Sequence, residues 1–156
     1  MSTENLKPYD SEAETRKHIM RVQQLIAIVI KDFLDRATYH DQSKLSGIEK
    51  EYFDKYTVIL KGLTYGSPEY KKSLEELKPA LDHHYAVSRH HPDHFKNGIN
   101  DMTLLDILEM LLDWKASSER HNDGNIRKSI DHNAGRFNID AQLKTILENT
   151  CEYLGW

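Results

Sequence analysis

In "YHDQSKLS", residues 39–46, a histidine and an aspartate stand side by side and a lysine follows three positions after the aspartate. Imidazole, carboxylate and ammonium are side chains that bind transition metals and phosphates. A second concentration lies in "LDHHYAVSRHHPDHF", residues 81–95, where five of the chain's nine histidines fall between residues 83 and 94. His83 and His90, and likewise His84 and His91, are seven apart, so on a continuous helix each pair shares a face. Leu77, Leu81, His84 and Val87 continue one apolar stripe, which turns His84 inward with His91 on the same side. Several imidazoles in a dry core need partners, and a shared metal supplies them. Taken singly, each histidine reads more simply as part of a solvated helix end or as a core residue bonded to backbone carbonyls.

Carboxylates follow in "LLDILEMLLDWKAS", residues 104–117. Leu104, Leu105, Leu108, Leu111 and Leu112 are expected to form a packing face, with Asp106, Glu109 and Asp113 as an acidic stripe. Asp106 is expected to be solvated. Asp113, between Leu112 and Trp114 on a mostly apolar helix, needs a cation, and a metal or Arg120 both qualify. His18 lies at the edge of an apolar row continued by Val22, Leu25 and Val29, where a histidine is either a core residue or a ligand. Lys44 faces the same way as Asp41 if the segment is helical, and could then bind a phosphoryl oxygen; a solvated surface lysine is the alternative.

The elements that must position these residues are all helical. Ser11 and Glu14 have capping-box spacing and open a helix to about Arg36, with Ile19, Val22, Ile26, Val29 and Phe33 as its stripe. A second helix covers about Ile48–Leu60, with Tyr52, Phe53, Tyr56, Ile59 and Leu60 apolar. "TYGSP" is a break in which Ser67 caps and Pro68 occupies the first turn of the next helix. That helix runs from Glu69 to about His90, with Pro79 expected to kink or divide it and Pro92 expected to end it. Thr103 and Asp106 open a helix to about Arg120; two more follow, from about Asn125 and from Asp140 to Leu154. Strand alternation is absent, so the expected fold is all-α, a single domain over residues 1–156 with residues 1–10 as a flexible N-terminus.

Composition narrows the function classes. A formal net charge of −4 with no long basic run argues against a nucleic-acid duplex as partner. The densest apolar run, "LIAIVI", is far too short to span a bilayer, so no membrane partner is expected. The N-terminus lacks the basic and apolar zones of a signal peptide, so the mature chain is expected to start there. Cys151, the one cysteine, fits a reducing cytoplasm and is expected to be packed, not nucleophilic.

The ordered set His18, His40-Asp41, His84, His91 and Asp113 resembles the H…HD…H…H…D pattern of the HD-domain superfamily of metal-dependent phosphohydrolases. "HDQSK" is similar to the "HDxGK" form of HD-GYP phosphodiesterases, although the GYP segment is missing. A closer resemblance, over roughly residues 15–117, is to an uncharacterised family of small phage and bacterial proteins with "HDxSK" and "HHxxxxxHH" motifs, here "HDQSK" and residues 83–91. The resemblance implies an HD-like helical bundle of about six or seven helices in a cytoplasmic protein (the host's cytoplasm if phage-encoded). The implied metal ligands are His18, His40, Asp41, His84, His91 and Asp113. Imidazole and carboxylate together suit one or two divalent transition metals per chain, Mn, Fe, Co, Ni or Zn, over calcium. The expected catalytic set is Asp41, Lys44 and Glu109, and the expected substrate-binding residues are Lys44, His83, Arg89, His90 and Arg120. The expected activity is hydrolysis of a nucleotide or related small phosphate ester. A di-iron oxygenase and a binding or assembly module with a structural metal are the alternatives, and homo-oligomerisation stays open.

Overall fold

The computed structural model describes residues 9–64, 67–120 and 124–156. Residues 1–8 of the expected flexible N-terminus and Tyr65 and Gly66 of the expected break lie outside the described residues. Among those described the protein is all-α, with six α-helices, three short 3-10 helices and no strand. The chain divides into two compact units, Met1–Tyr39 and His40–Trp156.

The first unit is built on α1 (Glu12–Tyr39), which ends three residues beyond the Arg36 that its periodicity suggests. Glu12 and Glu14 in its first turn and Arg36 in its last complement the helix dipole. Ion pairs Glu12–Arg16 at 2.6 Å, Glu14–Lys17 at 2.8 Å and Asp32–Arg36 at 2.7 Å line its surface. It has no buried residue, so Ile19, Val22, Ile26 and Val29, expected as a packing stripe, are exposed.

The second unit holds two apolar cores. In the first, α2 (Gly47–Lys61) packs on α3 (Pro68–Val87) through Tyr56, Leu77 and Ala80, flanked by Tyr52, Phe53, Leu60 and Leu81. Ser67 caps α3 by accepting from the Tyr70 N–H at 3.1 Å. Pro79 does not divide this helix. It stands beside fully buried Ala80, and packing of the Leu77, Ala80 and His84 face offsets the backbone bond that proline removes. The helix ends at Val87, three residues early, because Ser88 turns extended while its N–H still bonds the His84 carbonyl. His90 and His91 therefore sit on a turn, and the two-helical-turn argument that paired them with His83 and His84 does not apply.

The second core gathers α4 (Leu104–Ser118), α5 (Ile126–Arg136) and α6 (Ala141–Tyr153) around Met110, Leu111, Trp114, Ile126, Ile130, Ile139, Leu147 and Cys151. The buried face of α4 is Asp106, Met110, Leu111 and Trp114, whereas Leu104 is 81% exposed, which rotates the expected packing face. Asp106 corrects the solvated reading: it is fully buried. It closes a capping box with Thr103 and receives the Arg89 guanidinium in two hydrogen bonds of 3.1 and 2.9 Å. That fork ties the turn carrying His90 and His91 to the start of α4.

Candidate metal centre

Every residue of the centre belongs to the second unit. The His-Asp doublet follows the end of α1, and Asp41 adopts the left-handed conformation (φ 57, ψ 11) before a 3-10 turn, Gln42–Leu45. Aspartate tolerates this conformation better than most residues. The turn is held by the Lys44 N–H on the Asp41 carbonyl at 2.9 Å, and it brings the Lys44 ammonium to 2.7 Å from Asp41 Oδ2. His84 enters from the last turn of α3, His90 and His91 from the turn beyond it, and Glu109 and Asp113 from successive turns of α4.

These side chains converge. His84 Nε2 lies 3.0 Å from His91 Nε2 and 3.4 Å from Asp41 Oδ1, and His90 Nε2 lies 3.6 Å from the same oxygen. On the other side of the carboxylate, His40 Nε2 is 3.7 Å from Asp41 Oδ2 and 3.7 Å from Asp113 Oδ1. Donors bonded at about 2.1 Å to one cation stand about 3.0 Å apart at right angles and about 3.4 Å apart at tetrahedral angles. The spacings around Asp41 Oδ1 match a coordination shell closely. Asp41 Oδ1 and His90 Nε2 are moreover buried with no hydrogen-bond partner, a costly state for two polar atoms 3.6 Å apart unless a cation joins them. Among the described residues three sets of donors could hold an ion: His84, His90 and His91; His40, Asp41 and Asp113; and His40, His90 and Glu109.

Carboxylates also back the imidazoles. Glu109 Oε1 lies 3.0 Å from His40 Nδ1 and 3.3 Å from His90 Nδ1, on the ring edges away from Asp41. Glu49 of α2, fully buried, places Oε1 2.6 Å from His83 Nδ1 and Oε2 3.0 Å from His84 Nδ1, and Oε2 accepts from the Ser43 hydroxyl at 2.8 Å. Sequence reasoning did not single out Glu49, one glutamate among several on the second helix. In the structure Ser46 makes no side-chain cap, and the glutamate turns inward under α3.

The electrostatics follow from this crowding. The Asp113 and Glu109 carboxylates, against burial and with help from Asp41, push the His40 imidazole up to about 10. Burial, then the charges of His90 and His84, brings His91 down to about 3. Burial, then the Lys44 charge, lowers His84 as well. Burial works against the Asp41 carboxylate, but Lys44 outweighs it and holds the group below its ordinary range. Asp113 is likewise held low, with His40 outweighing burial. His84 and His91 are thus neutral and ready to donate lone pairs, while His40 carries a proton where a cation would compete for it.

The remaining candidates are placed elsewhere or differently. His18 is exposed on α1 of the first unit, and none of the three donor sets includes it. His90, expected at the substrate rim, is 3% exposed among the donors. His83 is bonded to Glu49, and the Arg89 guanidinium is committed to Asp106. Arg120 is exposed just past the end of α4.

Fold and centre together define an all-α protein with a histidine- and aspartate-rich cluster suited to a divalent cation. The chain belongs to a family of unknown function, DUF5662, whose model matches residues 7–153. No curated protein and no solved structure matches it.

Proposed function

We propose that this protein is a metal-dependent phosphohydrolase acting on a nucleotide or related small phosphate ester. The observation that carries the reading is the two-sided use of Asp41. Its Oδ1 faces His84 and His90, while its Oδ2 faces His40 and the Lys44 ammonium. With Asp41 between them, His84, His90 and His91 would hold a cation on one side, and His40 and Asp113 on the other. Mn, Fe, Co, Ni or Zn suits this mixture of donors. When bound, such a pair would supply Lewis acidity towards phosphoryl oxygens and acidify a water.

The chain's own groups do the rest. Lys44 presents a fixed positive charge next to Asp41, where negative charge on a phosphoryl oxygen needs it. Glu109 holds His40 and His90 by their Nδ1 edges, which aims both Nε2 atoms at Asp41. The resemblance to HD-domain phosphohydrolases supports the substrate class. The oxygenase reading draws on the same donors, but Lys44 weighs towards an anionic substrate.

The test is hydrolysis of a panel of nucleotides and generic phosphate esters by protein loaded with each metal in turn. Lys44→Ala should keep its metal, or bind it slightly more tightly for want of a competing charge, and lose turnover on the order of 100-fold. No turnover of any phosphate with metal bound, or full activity in Lys44→Ala, would overturn the reading.

A further inference from the structure

A neutral imidazole can offer a lone pair at Nε2 only if its proton sits on Nδ1, and whatever faces Nδ1 decides which tautomer forms. The Nδ1 of His84 faces Glu49 Oε2 at 3.0 Å and the Ser88 hydroxyl at 3.2 Å. A carboxylate only accepts, so Glu49 at 3.0 Å calls for the ring proton at Nδ1, whereas Asp41 Oδ1 stands 3.4 Å from Nε2 and makes no hydrogen bond; a hydroxyl can serve either tautomer. Glu49 is held as the carboxylate despite full burial, because its Oε1 receives His83 at 2.6 Å and its Oε2 receives Ser43 at 2.8 Å. Ser43 belongs to the 3-10 turn behind Asp41, and Glu49 thereby links that turn to the end of α3.

We infer that Glu49 is a positioning residue of the centre, as Glu109 is for His40 and His90: it fixes His84 in the Nδ1–H form and aims its Nε2 lone pair towards the side that Asp41 Oδ1 faces. The role rests on the metal reading above and adds a residue from α2 to it. The Glu49 oxygens are engaged by His83, His84 and Ser43, so it acts on the centre through these neighbours. The geometry leaves it little freedom, since both oxygens are already engaged within the protein.

Two measurements test this on the full chain. In metal-free wild-type protein, long-range proton–nitrogen correlation should show His84 as the Nδ1–H tautomer. In Glu49→Gln, a near-isosteric change, the side-chain NH₂ can donate into Nδ1, so the His84 signals should move towards the Nε2–H form. Affinity for Mn(II) alone should fall about 10- to 100-fold, with helix content unchanged by circular dichroism. An Nε2–H tautomer in the wild type overturns the proposal without any variant. So does a Glu49→Gln protein that folds with unchanged tautomer or unchanged Mn(II) affinity. If the wild type binds neither Mn(II) nor Zn(II), the metal reading fails instead, and the tautomer measurement alone decides what Glu49 does to His84.

Discussion

Asp41 combines an unusual backbone with two engaged side-chain oxygens, so its substitutions separate two roles. Asn shares the tolerance of aspartate for the left-handed conformation, whereas Ala does not and would add about 1 kcal/mol of backbone strain. Asp41→Asn is therefore expected to keep the fold while losing metal affinity beyond the roughly 100-fold typical for groups behind a ligand, as read by calorimetric titration with Mn(II). Asp106 is a different kind of carboxylate. Its substitution by Ala removes the carboxylate that accepts from the Thr103 N–H and hydroxyl and from Arg89, but the Thr103 cap on the residue-106 N–H survives, and Arg89 is half exposed and can be rehydrated. The expected loss is about 2 kcal/mol, mostly from the lost bonds to Thr103, seen as a lower urea midpoint with an unchanged slope. A midpoint equal to the wild type's would mean that neither the Thr103 bonds nor the Arg89 fork contributes.

Among the elements, α4 does two jobs: one face packs on α5 and α6 while Glu109 and Asp113 point into the centre. Met110, 1% exposed, belongs to the packing face. Met110→Ala should cost about 3 kcal/mol by leaving a cavity, without changing Mn(II) affinity at temperatures where the fold holds. A parallel fall in affinity would mean that the two faces are coupled. Helix content and order were legible from apolar spacing, caps and prolines, because these are local signals. His84 was legible as inward for the same reason. The rotation of α4 was not, since leucines nearly encircle it and only packing selects a face. His90 was misplaced because the chain leaves helical geometry at Ser88, one turn before the proline that seemed to set the limit. Glu49 could not be found locally at all: its burial arises where α3 closes over α2, a contact between segments 34 residues apart.

For the second unit as a whole, His40 sets the response to pH. Its pKa is raised from the ordinary 6.5 to about 10, so its pairing with Asp113 and Glu109 stabilises the metal-free fold fully below about 6.5 and is lost as pH rises through 10. Metal binding has the opposite sign, because the ion must displace that proton. Mn(II) affinity is expected to rise about tenfold per pH unit between about pH 6 and 8, with about one proton released per ion, measured by titration in buffers of different ionisation heat. A pH-independent affinity would show that His40 is not a ligand. The same unit carries its own clock. Cys151, the chain's one thiol, is fully buried in the core of α4 to α6, and burial pushes its pKa up. A thiol reagent can reach it only while that core is open, so the rate of labelling counts openings directly. Comparing that rate with and without Mn(II) reports whether an ion held beside Glu109 and Asp113 keeps the core on the same helix shut.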